Sequence, residues 1–176
     1  MRHLIFLVSF LFIGSSAIAN ETTPPEMSDR LRTMVLNLDP KDIGLNKDNF
    51  PYSVFAIVME TGVAEGSYTL SSIADGSTSL YFSTGGGIIG GGEHKSVREA
   101  SMYFLSGAEH FHSKAKAVTS FPKPKNGDVI FYFITFDGVK SYNALEVDLG
   151  NEKDDLSGLF FAGHSVISEL RNTEKK

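Results

Sequence analysis

The residues best suited to do chemistry lie in one glycine-rich stretch. Two runs of three glycines flank Ile88 and Ile89 within Gly85–Gly92, and Glu93 and His94 follow directly. Glycine loses more backbone freedom on folding than any other residue. A chain therefore places so many glycines together where the backbone needs a positive φ, or where another group approaches it closely. This pattern indicates a segment whose backbone has an unusual conformation or a close contact.

The glycines match two nucleotide-binding patterns only superficially. Gly85, Gly87 and Gly90 fit G-x-G-x-x-G, but a dinucleotide site also needs a βαβ unit with a parallel sheet, and hairpins precede this stretch. A phosphate loop would need Gly-Lys adjacent, and here Glu93-His94 separates the glycines from Lys95. We therefore predict no cofactor.

Three interpretations of the stretch stay open. Its backbone amides can bind a small anion or a carboxylate at a helix start. The glycines can instead form a tight crossover that lets a helix and a sheet pack closely. Ile88 and Ile89 can also contact a partner from an exposed loop tip. The residues of this candidate ligand-binding or partner-binding site are Gly85, Gly86, Gly87, Ile88, Ile89, Gly90, Gly91, Gly92, Glu93, His94 and His164.

The histidines suggest a second class of function. His94 beside the glycines and His164 on a later helix can converge on one polar site, whereas His110 and His112 fall on different sides of a helix and cannot share a metal directly. The chain has no cysteine and no G-x-S-x-G motif. We predict no metal site and no catalytic residue. The competing hypothesis is a hydrolase whose glycine amides hold an oxyanion, with His94 or His164 as base.

The first residues are typical of a signal peptide. Met1-Arg2-His3 is positively charged, Leu4–Ile13 is almost wholly apolar, and Ala17-Ile18-Ala19 matches an A-x-A cleavage pattern. The apolar run is too short for an anchor, and no later segment is long enough to span a membrane. We therefore predict residues 1–19 as a cleaved signal peptide, with a mature chain that is periplasmic or secreted.

The net charge and the length of the chain restrict the possible classes of function and domain organisation. Removal of Arg2 with the signal leaves 15 basic and 21 acidic residues, and such a surface repels the phosphates of nucleic acids. The remaining length suits one domain that buries enough surface without disulfides. We predict a linker at residues 20–27, a single domain at residues 28–172 and a frayed tail at residues 173–176.

The order of elements predicts an α+β fold. A helix capped by Ser28 precedes a three-strand meander, a long helix, a hairpin and a last helix, which gives a five-stranded antiparallel sheet with helices packed on it. The predicted strands are Tyr52–Met59, Ser67–Ala74, Thr78–Ser83, Val129–Phe136 and Val139–Leu149, and the long helix is Lys95–Lys116.

The stretch Tyr81-Phe82-Ser83, followed by Gly85–Gly92 and Glu93-His94, resembles small uncharacterised bacterial proteins that share a YFS-x-GGGIIGGGEH stretch. The resemblance extends from about Leu38 to Leu170. The topology is also similar to that of profilin-like and roadblock-type domains, which is an analogy of fold. The resemblance implies no activity and supplies no catalytic residue.

The sequence therefore favours a small exported domain that is not an enzyme and that contacts a protein partner or a small ligand through residues 85–94. An immunity or inhibitor-type role fits its size, export and acidity. A small hydrolase is the alternative.

The predicted export has a direct test. An intact mass spectrum of the protein recovered from the periplasm is expected to show a chain that begins at Asn20, because the signal peptidase cleaves after Ala19. A recovered chain that still begins at Met1 would contradict the prediction.

Overall fold

The computed structural model describes residues 23–174. The predicted signal peptide and the first residues of the predicted linker lie outside the described residues, as do Lys175 and Lys176. Within the described range, no helix has the length and apolar character that crossing a membrane requires.

Between residues 23 and 174 the chain forms four α-helices and seven strands, joined in places by short 3-10 helices. The α-helices are α1 (Pro24–Leu36), α2 (Lys95–Phe111), α3 (Glu146–Gly150) and α4 (Ser157–Thr173). The strands are β1 (Val54–Val63), β2 (Gly66–Ile73), β3 (Thr78–Phe82), β4 (Gly87–Ile88), β5 (Lys116–Val118), β6 (Asp128–Thr135) and β7 (Gly138–Leu145).

The strands form a single sheet in the order β4-β3-β2-β1-β6-β7-β5, with every neighbouring pair antiparallel. The predicted α+β class and antiparallel sheet are confirmed. The predicted count of five strands was wrong, because β4 and β5 add one strand at each edge. With two and three residues, these strands are too short to show an alternation of apolar and polar side chains.

The first helix begins earlier than the sequence predicted. The Thr23 hydroxyl accepts a hydrogen bond from the Glu26 N–H, and the Glu26 carboxylate accepts one from the Thr23 N–H at 2.8 Å. This capping box starts the helix at Pro24, and proline is well tolerated in a first turn because those N–H groups have no helical partner. Ser28, predicted as the cap, is buried inside α1.

Three other predicted boundaries were wrong. The first strand was expected to end at Met59 but continues to Val63. The long helix was expected to reach Lys116 but ends at Phe111, since the chain then passes through a 3-10 turn into β5. The last strand was expected to reach Leu149 but ends at Leu145, where α3 begins. The alternation of Leu145, Val147 and Leu149 suits a strand, yet only Leu149 is buried.

The sheet is covered on both faces. Met59 and Phe131 belong to the core beneath α2 and α4, which we call the α4 face. Val58 and Tyr132 belong to the core beneath α1 and the loop that follows it, which we call the α1 face. Strand β6 is buried from Val129 to Thr135, as expected of a central strand that is covered on both faces.

One ion pair joins α1 to the middle of the sheet. Arg32 donates from Nε and Nη2 to the two carboxylate oxygens of Glu60, at 2.6 and 2.7 Å. Glu60 is fully buried on β1 and also accepts from the Thr69 hydroxyl at 3.0 Å. Arg32 Nη2 donates as well to the carbonyl oxygens of Phe121 and Pro122. Both charges therefore have several partners, as burial in a protein core requires.

Two tyrosines lie close to this ion pair. Burial, with a smaller contribution from the Glu60 charge, raises the pKa of Tyr132 to about 12. The Tyr132 hydroxyl donates to the Pro122 carbonyl at 2.7 Å. Burial and Glu60 also raise the pKa of Tyr81. Both phenols therefore stay protonated at neutral pH beside the carboxylate.

The ion pair yields a stability prediction. Arg32→Ala is expected to lower the free energy of unfolding by about 3–5 kcal/mol, because the Glu60 carboxylate stays buried without its counter-ion. The double change Arg32→Met with Glu60→Leu is expected to recover most of that loss, since apolar groups then replace both charges. Urea unfolding of each variant measures the effect.

The matched control is the surface pair of Lys47 and Asp137, whose side chains are 64% and 81% exposed. Lys47→Ala is expected to leave the unfolding curve almost unchanged, because solvent screens exposed pairs. Equal decreases in the free energy of unfolding of Arg32→Ala and Lys47→Ala would contradict the special role of the buried pair.

Candidate functional site

A cavity of about 490 Å³ lies between α4 and the end of the sheet formed by β2, β3 and β4. This volume lies within the range of small-molecule sites, and the walls of such sites are mainly apolar with a few placed polar groups. We call it the α4 cavity.

Strands provide one wall of the α4 cavity. Tyr68 is paired with Phe82, and Leu80 is paired with Ile88. Directly opposite residues of an antiparallel pair point to the same face, and so do residues two apart on one strand. The four side chains therefore form one apolar surface on the α4 face. Gly87 adds only backbone to this wall.

Helix α4 provides the other wall. His164, Ile167 and Arg171 follow one another at spacings of three or four residues, which places them on one side of the helix, and Glu174 continues this spacing directly after its end. From His164 to Glu174 the helix rises roughly 15 Å. The cavity is therefore elongated, with polar groups at its two ends and Ile167 between them.

His164 lies at one end of the α4 cavity and is partly buried. Its ring meets the Phe160 ring edge-on, with the centroids 4.3 Å apart. Burial lowers the pKa of His164, and the charge of Glu146 opposes part of that change. The imidazole is therefore neutral at pH 7. Its Nε2 is shielded from solvent and has no hydrogen-bond partner within residues 23–174.

Tyr68 also lines the cavity. Burial raises the pKa of Tyr68, and the Glu146 charge contributes to the rise. At the C-terminal end of α4, Arg171 and Glu174 carry opposite charges three residues apart.

The first half of the glycine-rich stretch forms the turn between β3 and β4. Gly85, Gly86 and Gly87 have φ values of 101°, 84° and 145°, a region that other residues rarely adopt. A side chain at Gly85 would press on Pro24, and one at Gly87 would overlap the Leu80 carbonyl oxygen. These glycines therefore hold the turn against α1 and β4 against β3.

The second half of the stretch joins the sheet to α2. Gly90 has a φ of 74° and begins a 3-10 turn. A side chain at Gly91 would overlap Leu170 of α4, and one at Gly92 would overlap the Gly76 carbonyl oxygen in the β2–β3 turn. Both residues are buried. Close packing around the backbone explains this second triple glycine.

The two isoleucines of the stretch point to different sides of the sheet, as successive residues of an extended chain do. Ile88 is partly buried in the α4 cavity, whereas Ile89 is 61% exposed. Ile89 lines a separate groove of about 290 Å³ on the α1 face, beside Leu31 and Met34. The pair therefore does not act as a single loop tip.

The structure brings together only part of the predicted site. Gly87, Ile88 and His164 line the α4 cavity. His94 is exposed at the start of α2, and Glu93 is exposed in the preceding turn, so neither of them contributes to the cavity wall. The remaining glycines shape the backbone around the cavity without lining it.

Sequence reasoning missed several residues of the cavity wall. Tyr68 and Phe82 were assigned only to strands, and Ile167 and Arg171 were not among the candidate site residues. The spacing of His164, Ile167 and Arg171 does indicate a common helix face. No feature of the sequence, however, places that face beside β4.

Chemical groups for catalysis are sparse around the cavity. Its wall contains no serine, threonine or cysteine that could act as a nucleophile. In the part of the chain that the structure describes, no three side chains of His, Cys, Asp or Glu form a group that could hold a metal ion. His112, predicted to lie apart from His110, contacts the Glu109 carbonyl oxygen through Nδ1 at 2.7 Å.

No protein-family model matches this chain, and the comparisons with curated proteins and with solved structures found no match. Function is therefore inferred from the chemistry of the α4 cavity itself.

The close packing of the glycines gives a second stability prediction. Gly92→Ala is expected to lower the free energy of unfolding by about 1–3 kcal/mol, because the added methyl group overlaps the rigid Gly76 carbonyl. Gly158→Ala is the control, since Gly158 lies in helix α4 with open space around it. That change is expected to raise stability by up to about 1 kcal/mol through helix propensity. Urea unfolding compares the two, and an unchanged Gly92→Ala variant would contradict the prediction.

Proposed function

We propose that this protein is an exported binding domain that holds a small, mainly apolar molecule in the α4 cavity and catalyses no reaction on it. The observation that carries the proposal is the cavity of about 490 Å³ between α4 and β4. Leu80, Ile88 and Ile167 form its apolar middle, and polar groups occur only toward its ends. This distribution is typical of pockets that bury a small ligand.

In this proposal the glycine-rich stretch determines the shape of the α4 cavity. Gly87 lets β4 lie close to β3, which sets the position of Ile88 in the wall. Gly91 accommodates Leu170, so that α4 lies close to the same end of the sheet. The glycines therefore fix both walls of the cavity, and a ligand contacts them mainly through Gly87.

A hydrolase needs more groups than this cavity supplies. A histidine base acts on a nucleophile or a water and is usually oriented by a third group. Within residues 23–174, His164 Nε2 has no hydrogen-bond partner, and the wall contains no serine, threonine or cysteine. His94, the other candidate base, is exposed at the start of α2. Binding is favoured because it requires only the groups that are present.

A matched pair of variants tests the binding proposal with Nile red, an uncharged dye that fluoresces in apolar surroundings. Ile88→Trp is expected to weaken Nile red binding by about tenfold, equivalent to roughly 1.4 kcal/mol, because the larger ring fills part of the α4 cavity. Ile89→Trp makes the same change at the neighbouring residue on the opposite face and is expected to leave the affinity unchanged. Fluorescence titration measures both dissociation constants.

Failure of the wild-type protein to bind Nile red would count against the proposal. So would equal affinities of wild type and Ile88→Trp. Circular dichroism of each variant checks that the fold is retained, so that lost binding reports on the cavity.

A protein contact is the second candidate function. It is favoured by Met34 and Ile89, which are 63% and 61% exposed and line the groove on the α1 face beside the edge strand β4. The variants Ile88→Trp and Ile89→Trp also distinguish ligand binding from protein contact. A periplasmic partner that is lost from Ile89→Trp and retained by Ile88→Trp would support the protein contact.

A further inference from the structure

The charges around the α4 cavity cancel. Arg171 and Glu174 contribute one positive and one negative charge at the same end. His164 and Tyr68, which also line the cavity, are both neutral at pH 7, because burial disfavours their charged forms.

This balance disfavours a charged ligand. An ion that enters an apolar cavity loses its hydration and needs an opposite charge there to replace it. Glu174 offsets the charge of Arg171 three residues away, so the lining side chains carry no net positive charge to hold an anion. A cation would meet Arg171 at the far end. An uncharged molecule carries neither cost.

The position of the proton on the His164 ring indicates which polar group the ligand carries. Its Nε2 is shielded without a partner in the described chain. Buried N–H groups that lack an acceptor are rare in proteins, so the ring proton belongs on Nδ1. Nδ1 is not among the shielded, unpartnered atoms of the described residues, and the His164 side chain lines the cavity. The ring therefore offers the cavity an N–H donor.

We propose that the ligand of the α4 cavity is an uncharged, elongated and mainly apolar molecule with a hydrogen-bond acceptor, such as a carbonyl or ether oxygen, at the His164 end. Its apolar body lies between Ile88 and Ile167, along the roughly 15 Å of α4 that line the cavity. This inference rests on the proposed binding function and specifies the class of ligand.

Two dyes of similar size test the charge of the ligand. Nile red is uncharged and has a carbonyl oxygen, whereas anilinonaphthalene sulfonate is an anion. The wild-type protein is expected to bind Nile red at least about tenfold more tightly than anilinonaphthalene sulfonate, because the lining side chains carry no net positive charge. Equal affinities, or tighter binding of the anion, would overturn the inference while leaving the binding function intact.

Three variants of His164 test the hydrogen bond. His164→Phe keeps a ring but removes the donor and is expected to weaken Nile red binding by about fivefold. His164→Asn places an amide N–H near the position of Nδ1 and is expected to restore part of the affinity. His164→Gln places its amide near Nε2 and is expected to restore none. Equal binding by wild type and His164→Phe would overturn the role of His164.

A measurement on the wild-type protein keeps the test decisive if a variant fails to fold. The ¹⁵N signal of His164 Nδ1 is expected to report a protonated nitrogen and to shift when Nile red is added. A ring protonated on Nε2, or an Nδ1 signal that does not change on saturation with Nile red, would refute the hydrogen bond. Loss of binding in Ile88→Trp would still stand as evidence for the cavity.

Discussion

The buried ion pair between Arg32 and Glu60 is the interaction on which the rest of the arrangement depends. It places a charge at the centre of the sheet, and that charge is tolerated only because α1 supplies a two-point partner. Helix α1 is thereby held over β1, and its first residue Pro24 lies against Gly85. The turn that leads into β4, and so the position of Ile88, follows from the docking of α1.

On the α4 face, two close contacts of glycine residues also fix the arrangement of the elements around the cavity. Gly92 lies against the Gly76 carbonyl, and Gly91 lies against Leu170. These contacts set the distance between α4 and the end of the sheet, and the α4 cavity is the space that this distance leaves. The shape of the cavity thus depends on residues without side chains, whereas its polarity depends on the few side chains that α4 directs into it.

The sequence alone was sufficient to predict the features that depend on local patterns of residues. The alternation and length of β1, β2, β3, β6 and β7 are strong signals, and the glycine-rich stretch correctly marked a region of positive φ and close contact. The short edge strands were missed because two or three residues have no period. The α4 cavity was only partly predicted, since Tyr68, Ile88 and His164 meet through tertiary packing. Arg32 and Glu60 were missed for the same reason: each has the sequence context of an ordinary surface charge.

The partners of Arg32 also govern the order in which the chain assembles. Glu60 lies 28 residues beyond Arg32, and the carbonyl of Phe121 lies 89 residues beyond it. Contacts between such distant parts of a chain form late, because a long loop must close first. Among the described residues, helix α1 is the first element to be synthesised and yet among the last that can dock. This delay would keep α1 away from the sheet until the strands that carry its partners have been made.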